Sequence, residues 1–450
     1  MGIKRMMNET IIKEVKARQV FSGRGYPAIE ATVMTLSGKK GTVQCVSGLS
    51  VGTHEVAFAY DGDTKWRGMG LSKVVQNIEE IIGPAIVGMD ASRQTEVDHR
   101  ILSLFGDNTK AQIGGNAVAA VSAAVLKAGA EALEIPLYRH IGGAKAVTLP
   151  NASYGCISGG IRYGNSEKSG SKPTYSFVGY GFDSFSEASY ALWEIFAEWE
   201  AYINQKWGLR SQEPSPYYTC CGFFSIPCGL VENDFILWDS LTEIIGKRGY
   251  EGRIGLQVDC AADCYYREDT QTYQGLFNRE KRSRDQQIDL ILKMARDYPF
   301  VIIEDPLNEN DYEGHAIVTE LSGIQIVGDD LFATNPLRVK EGINKGACNT
   351  VLLKVNQIGS ISESLEMIQI AYEHGYGVMP CSSRGEGLDI CDYSVGLNAG
   401  TIRESCLGSP GTRFLEIEEE LGSMARYAGK KGLKGSRFRQ QEEQDEKDAD

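Results

Sequence analysis

Phe300-Val301-Ile302-Ile303-Glu304-Asp305-Pro306, Ile324-Gln325-Ile326-Val327-Gly328-Asp329-Asp330 and Thr350-Val351-Leu352-Leu353-Lys354-Val355-Asn356-Gln357 decide how this chain folds. Each opens with a strand-length apolar run rich in β-branched residues and ends on groups able to do chemistry. Helix-length segments, such as residues 336–345, lie between them. Strand alternating with helix implies a parallel sheet. In a parallel barrel the polar residues at the strand C-termini face the active site. A further run upstream, Ile254-Gly255-Leu256-Gln257-Val258, ends on Asp259. Asp259, Glu304 and Asp329 are therefore expected at one mouth, with Lys354 beside them. Three carboxylates completed by waters suit Mg²⁺, a hard cation that takes octahedral oxygen ligands. One strand-end acid alone is ordinarily a solvated cap. Three on successive strands, with a lysine on the next, point to a site.

At 450 residues the chain exceeds a typical single domain, so two domains are expected. A hydrophobic content of 42% and a charged content of 24% are ordinary for a globular protein. The net charge of −14 argues against a nucleic-acid partner, because phosphate backbones call for Lys and Arg. An anionic substrate stays compatible with that charge if a metal and local cations supply a positive field. Eleven cysteines are an odd number in a long chain whose first ten residues do not resemble a signal peptide, so reduced thiols in a cytoplasmic protein are expected. Cys220 and Cys221 are adjacent and lack zinc-ligand spacing. No apolar run approaches the length of a membrane span, so no membrane partner is expected.

Along the chain, residues 12–21, 28–36 and 39–45 read as strands, with Ser22-Gly23-Arg24-Gly25-Tyr26-Pro27 as a turn. Ser47-Gly48-Leu49-Ser50-Val51-Gly52-Thr53-His54-Glu55 is a Gly- and Ser-rich loop of the kind that carries function. Residues 71–132 are helical in period, ending in an Ala-rich helix after Gly114-Gly115-Asn116. Residues 211–230, rich in Pro, Cys and aromatics, read as a long irregular loop. Beyond Ala428 the chain turns Lys-rich and then Glu/Asp-rich, a composition that predicts a disordered tail.

Ile303-Glu304-Asp305-Pro306, Val327-Gly328-Asp329-Asp330-Leu331-Phe332-Ala333-Thr334-Asn335, Leu353-Lys354-Val355-Asn356-Gln357-Ile358-Gly359 and Leu415-Glu416-Ile417-Glu418-Glu419-Glu420-Leu421-Gly422 resemble the enolase family. The likeness runs from about Ile12 to Tyr427. It implies an N-terminal α+β capping domain at residues 1–148, an enolase-type α/β barrel at 149–428 and a charged tail at 429–450. It also implies three Mg²⁺ ligands, Asp259, Glu304 and Asp329, and a general base, Lys354. A Lys or His base with one or two Mg²⁺ ions is the established arrangement of that superfamily. Ser50 matches a lid serine that helps bind a second Mg²⁺. The implied reaction is of the phosphopyruvate hydratase type: a proton leaves the carbon next to a carboxylate, and water is lost from the β-carbon. The implied partner is a small anionic carboxylate, phosphorylated or plain, and the implied assembly is a homodimer or a larger homo-oligomer.

The sequence departs from the family on the substrate side. Where the family has its acid in an Asp-Glu-Gly-Gly run, this chain has Cys220-Cys221-Gly222-Phe223, so Cys221 takes the acid position. A second family Glu, which supports that acid, falls near Ser176. The family His of the Gly-Gly loop aligns with Arg162. The phosphate-holding His-Arg-Ser trio aligns with Ser382-Ser383-Arg384, and a family Lys with Arg403. Arg162, Arg384 and Arg403, with Ser382 and Ser383, are the expected substrate-binding groups, since Arg grips oxyanions in bidentate fashion. Three readings follow: an enolase-like lyase, a dehydratase of the same mechanism acting on another hydroxy or phosphorylated acid, and a catalytically silent binding protein. The retained Asp259, Glu304, Asp329 and Lys354 disfavour the third.

Overall fold

The computed structural model describes residues 9–23, 25–48, 51–105, 110–159, 162–163, 172–209, 224–381 and 383–439. Ser50, Cys221 and Ser382 lie outside the described residues, as does most of the loop expected at 211–230. The expected cap is a three-stranded antiparallel meander, Ile12–Phe21, Pro27–Thr35 and Lys40–Cys45. One face of it packs on the Ala-rich helix Gly115–Leu133. The approach is so close that a Cβ at Gly41 would stand 2.1 Å from the Ala124 carbonyl oxygen, so only glycine fits there. That helix is long and apolar enough to cross a membrane, contrary to the expectation that no run reaches such length. It is 83% buried inside the protein and serves as the core helix of the cap.

Seven strands follow one another around the second domain: Ala152–Ser158, Thr174–Gly179, Ile254–Asp259, Phe300–Glu304, Gln325–Gly328, Thr350–Leu353 and Gly377–Pro380. Residues 401–403 take the eighth place. They bridge Cys381 to Arg403 on one side and Asn151 to Thr401 on the other, which closes the ring. The strands from the third to the seventh are buried on both faces and read as largely apolar runs, with Gln257, Gln325 and Thr350 as buried polar members, as parallel strands covered by helices do. Their helices start where the side chains dictate. Ser283 with Gln286 forms a capping box, Asn335 caps a helix that begins at Pro336, and Ser360 caps Ile361–Glu373.

The strands from Ile254 to Pro380 pair in parallel as expected, whereas the second strand runs antiparallel to both its neighbours. The connection before it, residues 159–173, is Gly- and Ser-rich and lacks the apolar period of a crossover helix, so the chain returns on itself. The consequence is local and important. The beginning of this strand, not its end, lies at the mouth: Thr174 pairs with Asp259.

Cap and barrel are joined through buried charge. Asp98 accepts from the Ser122 hydroxyl at 2.6 Å and from the Ser362 amide and hydroxyl at 2.9 and 2.6 Å. Lys127 binds Asp389 at 2.6 Å, and the buried Lys110 binds Glu363 at 3.0 Å.

The tail is a second correction. Residues 429–439 are folded against the barrel. Leu433 and Phe438 are buried, the Lys434 amide donates to Gln325 Oε1 at 3.1 Å, and the Arg437 guanidinium donates to the Ala295 carbonyl at 2.8 Å. The composition of the segment hid two well-spaced apolar anchors. Phe438→Ala should lower stability by about 3–5 kcal/mol, as truncation of a buried Phe does. Urea unfolding with an unchanged midpoint would show that the segment adds nothing to the fold.

Candidate active site at the barrel mouth

Asp259 ends the third strand, Glu304 the fourth, and Asp329 and Lys354 directly follow the fifth and sixth. All four are at most 5% exposed. Carboxylates buried this deeply need compensation, and the structure supplies it with cations. Lys354 Nζ lies 2.5 Å from Asp329 Oδ2, and Gln357 donates to Asp329 Oδ1 at 2.7 Å. Arg403 spans the other two acids, 2.6 Å from Asp259 and 2.9 Å from Glu304. Lys172 also contacts Asp259. Thr334 steadies the base by accepting the Lys354 amide at 3.1 Å and donating to Gln357 at 2.7 Å.

The pairing sets the protonation of the group. Burial alone would raise the Asp329 carboxyl, but the Lys354 ammonium prevails and holds it at about 2. Burial works to lower Lys354, and Asp329 beside it keeps the ammonium above its ordinary range. Glu304 is pushed up by burial, against the pull of Arg403. Lys172 is lowered to about 8 by burial and then by the Arg403 charge. Asp330 is raised to about 8 by burial and by the neighbouring Asp329.

Two observations bear on whether a metal fits. Glu304 Oε2 is buried with no hydrogen-bond partner, a carboxylate oxygen held ready for a ligand that is not a protein donor. Among the described residues, ligand atoms of Glu304, Asp305 and Asp329 lie within 4.8 Å of one another. Asp305, however, is engaged elsewhere: its two oxygens accept the Asp329 and Asp330 amides at 3.0 and 2.9 Å. Asp259 is tied to Glu304 through Arg403, and its own oxygens accept the Ala261 amide at 3.0 Å and face Arg403 and Lys172, side-chain cations that an ion could replace. An all-oxygen set of this kind fits Mg²⁺.

The expected substrate side is arranged differently from its reading in the sequence. Arg162 is 3% exposed and is engaged in full by the barrel wall. Its Nε and Nη2 donate to the two oxygens of Asp234 at 3.0 and 2.7 Å, and Nη1 donates to the Ser158 carbonyl. Tyr163 and Tyr175 donate to the same carboxylate at 2.7 and 2.6 Å. Arg162 is thus a buried cation already matched by Asp234 in the barrel wall. The sequence could not show Asp234, 72 residues away, as its partner.

Arg384 reaches toward the mouth but grips Glu55 of the lid loop in bidentate fashion, at 2.7 and 2.6 Å. The lid is docked by further contacts: Thr53 Oγ1 donates to Glu309 at 2.5 Å, and His54 Nε2 meets Asn310 at 2.8 Å. Ser383 lies beside Cys381, with the thiol 3.4 Å from its hydroxyl. Arg403 is at the mouth, among the acids rather than apart from them. The mouth groups that the sequence reading passed over are Lys172, Glu55 and Glu404. Lys172 was hidden by the reversed strand, whereas Glu55 and Glu404 stand next to residues already singled out. Among the described residues, nine cysteines stand outside any disulfide.

Two family models match the chain. "Enolase, N-terminal domain" covers residues 12–141, and "Enolase, C-terminal TIM barrel domain" covers residues 148–436, past Ala428 and over the folded tail. The chain is 39% identical to the enolase of Methanopyrus kandleri over 430 residues, 92% of this chain and 97% of that one. It is 38% identical to the enolase of Methanococcus aeolicus over 436 residues, 94% and 99% of the two chains. To the enolase of Pyrococcus furiosus it is 37% identical over 440 residues, 95% and 99%. With both domains matched, and relatives of this identity aligned along nearly their whole length, the chain belongs to the enolase family and, with it, to the hydro-lyases.

Proposed function

We propose that the chain is a Mg²⁺-dependent hydro-lyase of the phosphopyruvate hydratase type, acting on a small phosphorylated hydroxy carboxylate. The observation that carries this reading is the mouth itself: Lys354 stands 2.5 Å from Asp329, beside Glu304 with its unpartnered Oε2 and Asp259 on the next strand. Asp259, Glu304 and Asp329 would hold the ion. The chemistry Mg²⁺ supplies when bound is stabilisation of the negative charge that builds on the substrate carboxylate. Lys354 removes the proton next to that carboxylate. Its burial favours the neutral amine that a base must be, and Asp329 opposes it, so the base is active when Asp329 is drawn away. The Thr334–Gln357–Asp329 network holds the amine in place. The docked lid, fixed by Glu55 to Arg384, keeps water from the reacting centre. A cytoplasmic place in glycolysis and a homodimeric or larger assembly accompany this reading.

One observation favours a second reading, dehydration of a different hydroxy or phosphorylated acid. Arg162 and Arg384, two of the arginines expected to receive a phosphate, are engaged by Asp234 and Glu55. The readings separate in a panel assay that follows exchange of the substrate α-proton in D₂O with Mg²⁺. Exchange from 2-phosphoglycerate supports the first, and exchange only from other acids supports the second. No exchange from any acid contradicts both.

Lys354→Ala should cut that exchange by at least about 10²-fold, the lower end of what a positioned general base contributes. Exchange that survives unchanged would remove Lys354 as the base. Asp329→Ala should weaken Mg²⁺ binding strongly in calorimetry, and an unchanged affinity would remove the site as drawn. Glu55→Gln weakens the grip on the buried Arg384 and should speed proteolytic cleavage within residues 51–56. An unaltered cleavage rate would mean that Arg384 does not hold the lid.

A further inference from the structure

Loss of a hydroxyl requires a proton for the departing oxygen. The position the family uses for this carries Cys221, and a thiol with an ordinary pKa of about 8.5 is a weaker acid on a shorter arm than a glutamic acid. The described carboxylates at the mouth have other tasks. Asp259, Glu304 and Asp329 face cations, and Asp305 holds backbone amides. Asp330 sits one residue beyond Asp329, on the strand next to that of Lys354 and therefore on the side of the base.

Glu404 is differently placed. It follows Arg403, the last residue of the eighth strand, and its side chain is 15% exposed. The Ser176 hydroxyl donates to Glu404 Oε1 at 3.3 Å, and Arg403 Nε lies 3.5 Å from the same oxygen. Ser176 belongs to the second strand and Lys354 follows the sixth, so the two stand across the eight-strand ring from each other. The metal-binding acids, on the third to fifth strands, lie between them. Glu404 also adopts a left-handed backbone, φ 59°, which a non-glycine residue keeps only where its surroundings enforce it. They do so here: the Arg403 amide donates to the Pro380 carbonyl at 3.0 Å and the Ser405 amide to the Ser153 carbonyl at 3.1 Å, pinning the chain on both sides of Glu404. Strained residues of this kind concentrate at functional sites.

We propose that Glu404 is the proton donor to the leaving hydroxyl, with Ser176 as the positioning residue that aims it. The proposal rests on the hydro-lyase reading above. Lys354 takes the α-proton, and the electron pair of that C–H bond becomes the second bond of the new double bond. The β C–O bond breaks as Glu404 passes its proton to the departing oxygen, which leaves as water. Glu404 then regains a proton from solvent and Lys354 returns one to it. The Ser176 contact draws the Glu404 carboxyl toward the second strand, away from the sixth-strand side on which Lys354 stands, so base and acid approach the substrate from different directions.

The test follows two signals from 2-phosphoglycerate with Mg²⁺: α-proton exchange in D₂O, and ultraviolet detection of phosphoenolpyruvate. Glu404→Gln, which keeps shape and removes the acid, should lower dehydration by about 10²–10⁴-fold and leave exchange within a few-fold of wild type. Ser176→Ala should lower dehydration by a smaller factor, about tenfold, again sparing exchange. Dehydration near the wild-type rate in Glu404→Gln, or loss of both signals together in a folded protein, would overturn the proposal and leave the hydro-lyase reading standing. If Glu404→Gln does not fold, Glu404→Asp is measured instead. An acid on a shorter arm should reduce dehydration alone, and two unaltered signals would overturn the assignment. Wild-type protein that exchanges no proton from 2-phosphoglycerate contradicts the reading beneath, and this proposal falls with it.

Discussion

Three carboxylates, at most 5% exposed, share one end of the barrel in this protein, where burial weakens the screening of their charges from one another. Left alone they would take up protons, because burial disfavours the charged form and like charges add to that cost. Lys354, Arg403 and Lys172 prevent it by lying against them. Each of these cations would itself be costly to bury without its acid. The architecture of the mouth follows from this mutual requirement. Asp329 stays ionised, Lys354 stays within reach of the same oxygen, and Arg403 ties the third strand to the fourth. Among the described residues this network leaves one carboxylate oxygen of its three acids without a hydrogen-bond partner, Glu304 Oε2. A divalent ion among the three acids would fill that gap and take over the role the cations now play.

The same logic explains why the substrate side is reshaped. A guanidinium buried in a protein must be matched by an acid, and the match removes it from other work. Arg162 has Asp234 and two tyrosines; Arg384 has Glu55. One of these pairs holds the barrel wall and the other holds the lid. The family's His and Ser positions have become arginines here, but each new arginine acquired an acid partner. Acids and a lysine retained at the strand ends thus stand beside arginines that are already matched by acids of this chain.

Much of this was legible in the sequence, for a physical reason. Strands buried on both faces leave largely apolar runs, and each run ends at the residue that reaches the mouth, so Asp259, Glu304, Asp329 and Lys354 could be placed from local pattern alone. The cap's meander and the Ala-rich helix were equally local. What escaped depended on contacts between distant residues. The reversal of the second strand put Lys172 at the mouth; the Gly- and Ser-rich connection before it is a local trace of the reversal but does not single out Lys172. The partner of Arg162 is 72 residues away. The tail looked disordered by composition, yet Leu433 and Phe438 are enough to fasten residues 429–439. Glu404 escaped because its partner Ser176 is 228 residues away in the chain.

The central claim is that Asp259, Glu304 and Asp329 form the metal site and that Asp305, although close, serves the backbone. The most direct measurement is anomalous diffraction from crystals soaked with Mn²⁺ in place of Mg²⁺. The account predicts one strong peak about 2.0–2.2 Å from an oxygen of each of Asp259, Glu304 and Asp329. A peak coordinated by Asp305 instead of Asp259, or no peak at the mouth at saturating Mn²⁺, would contradict it.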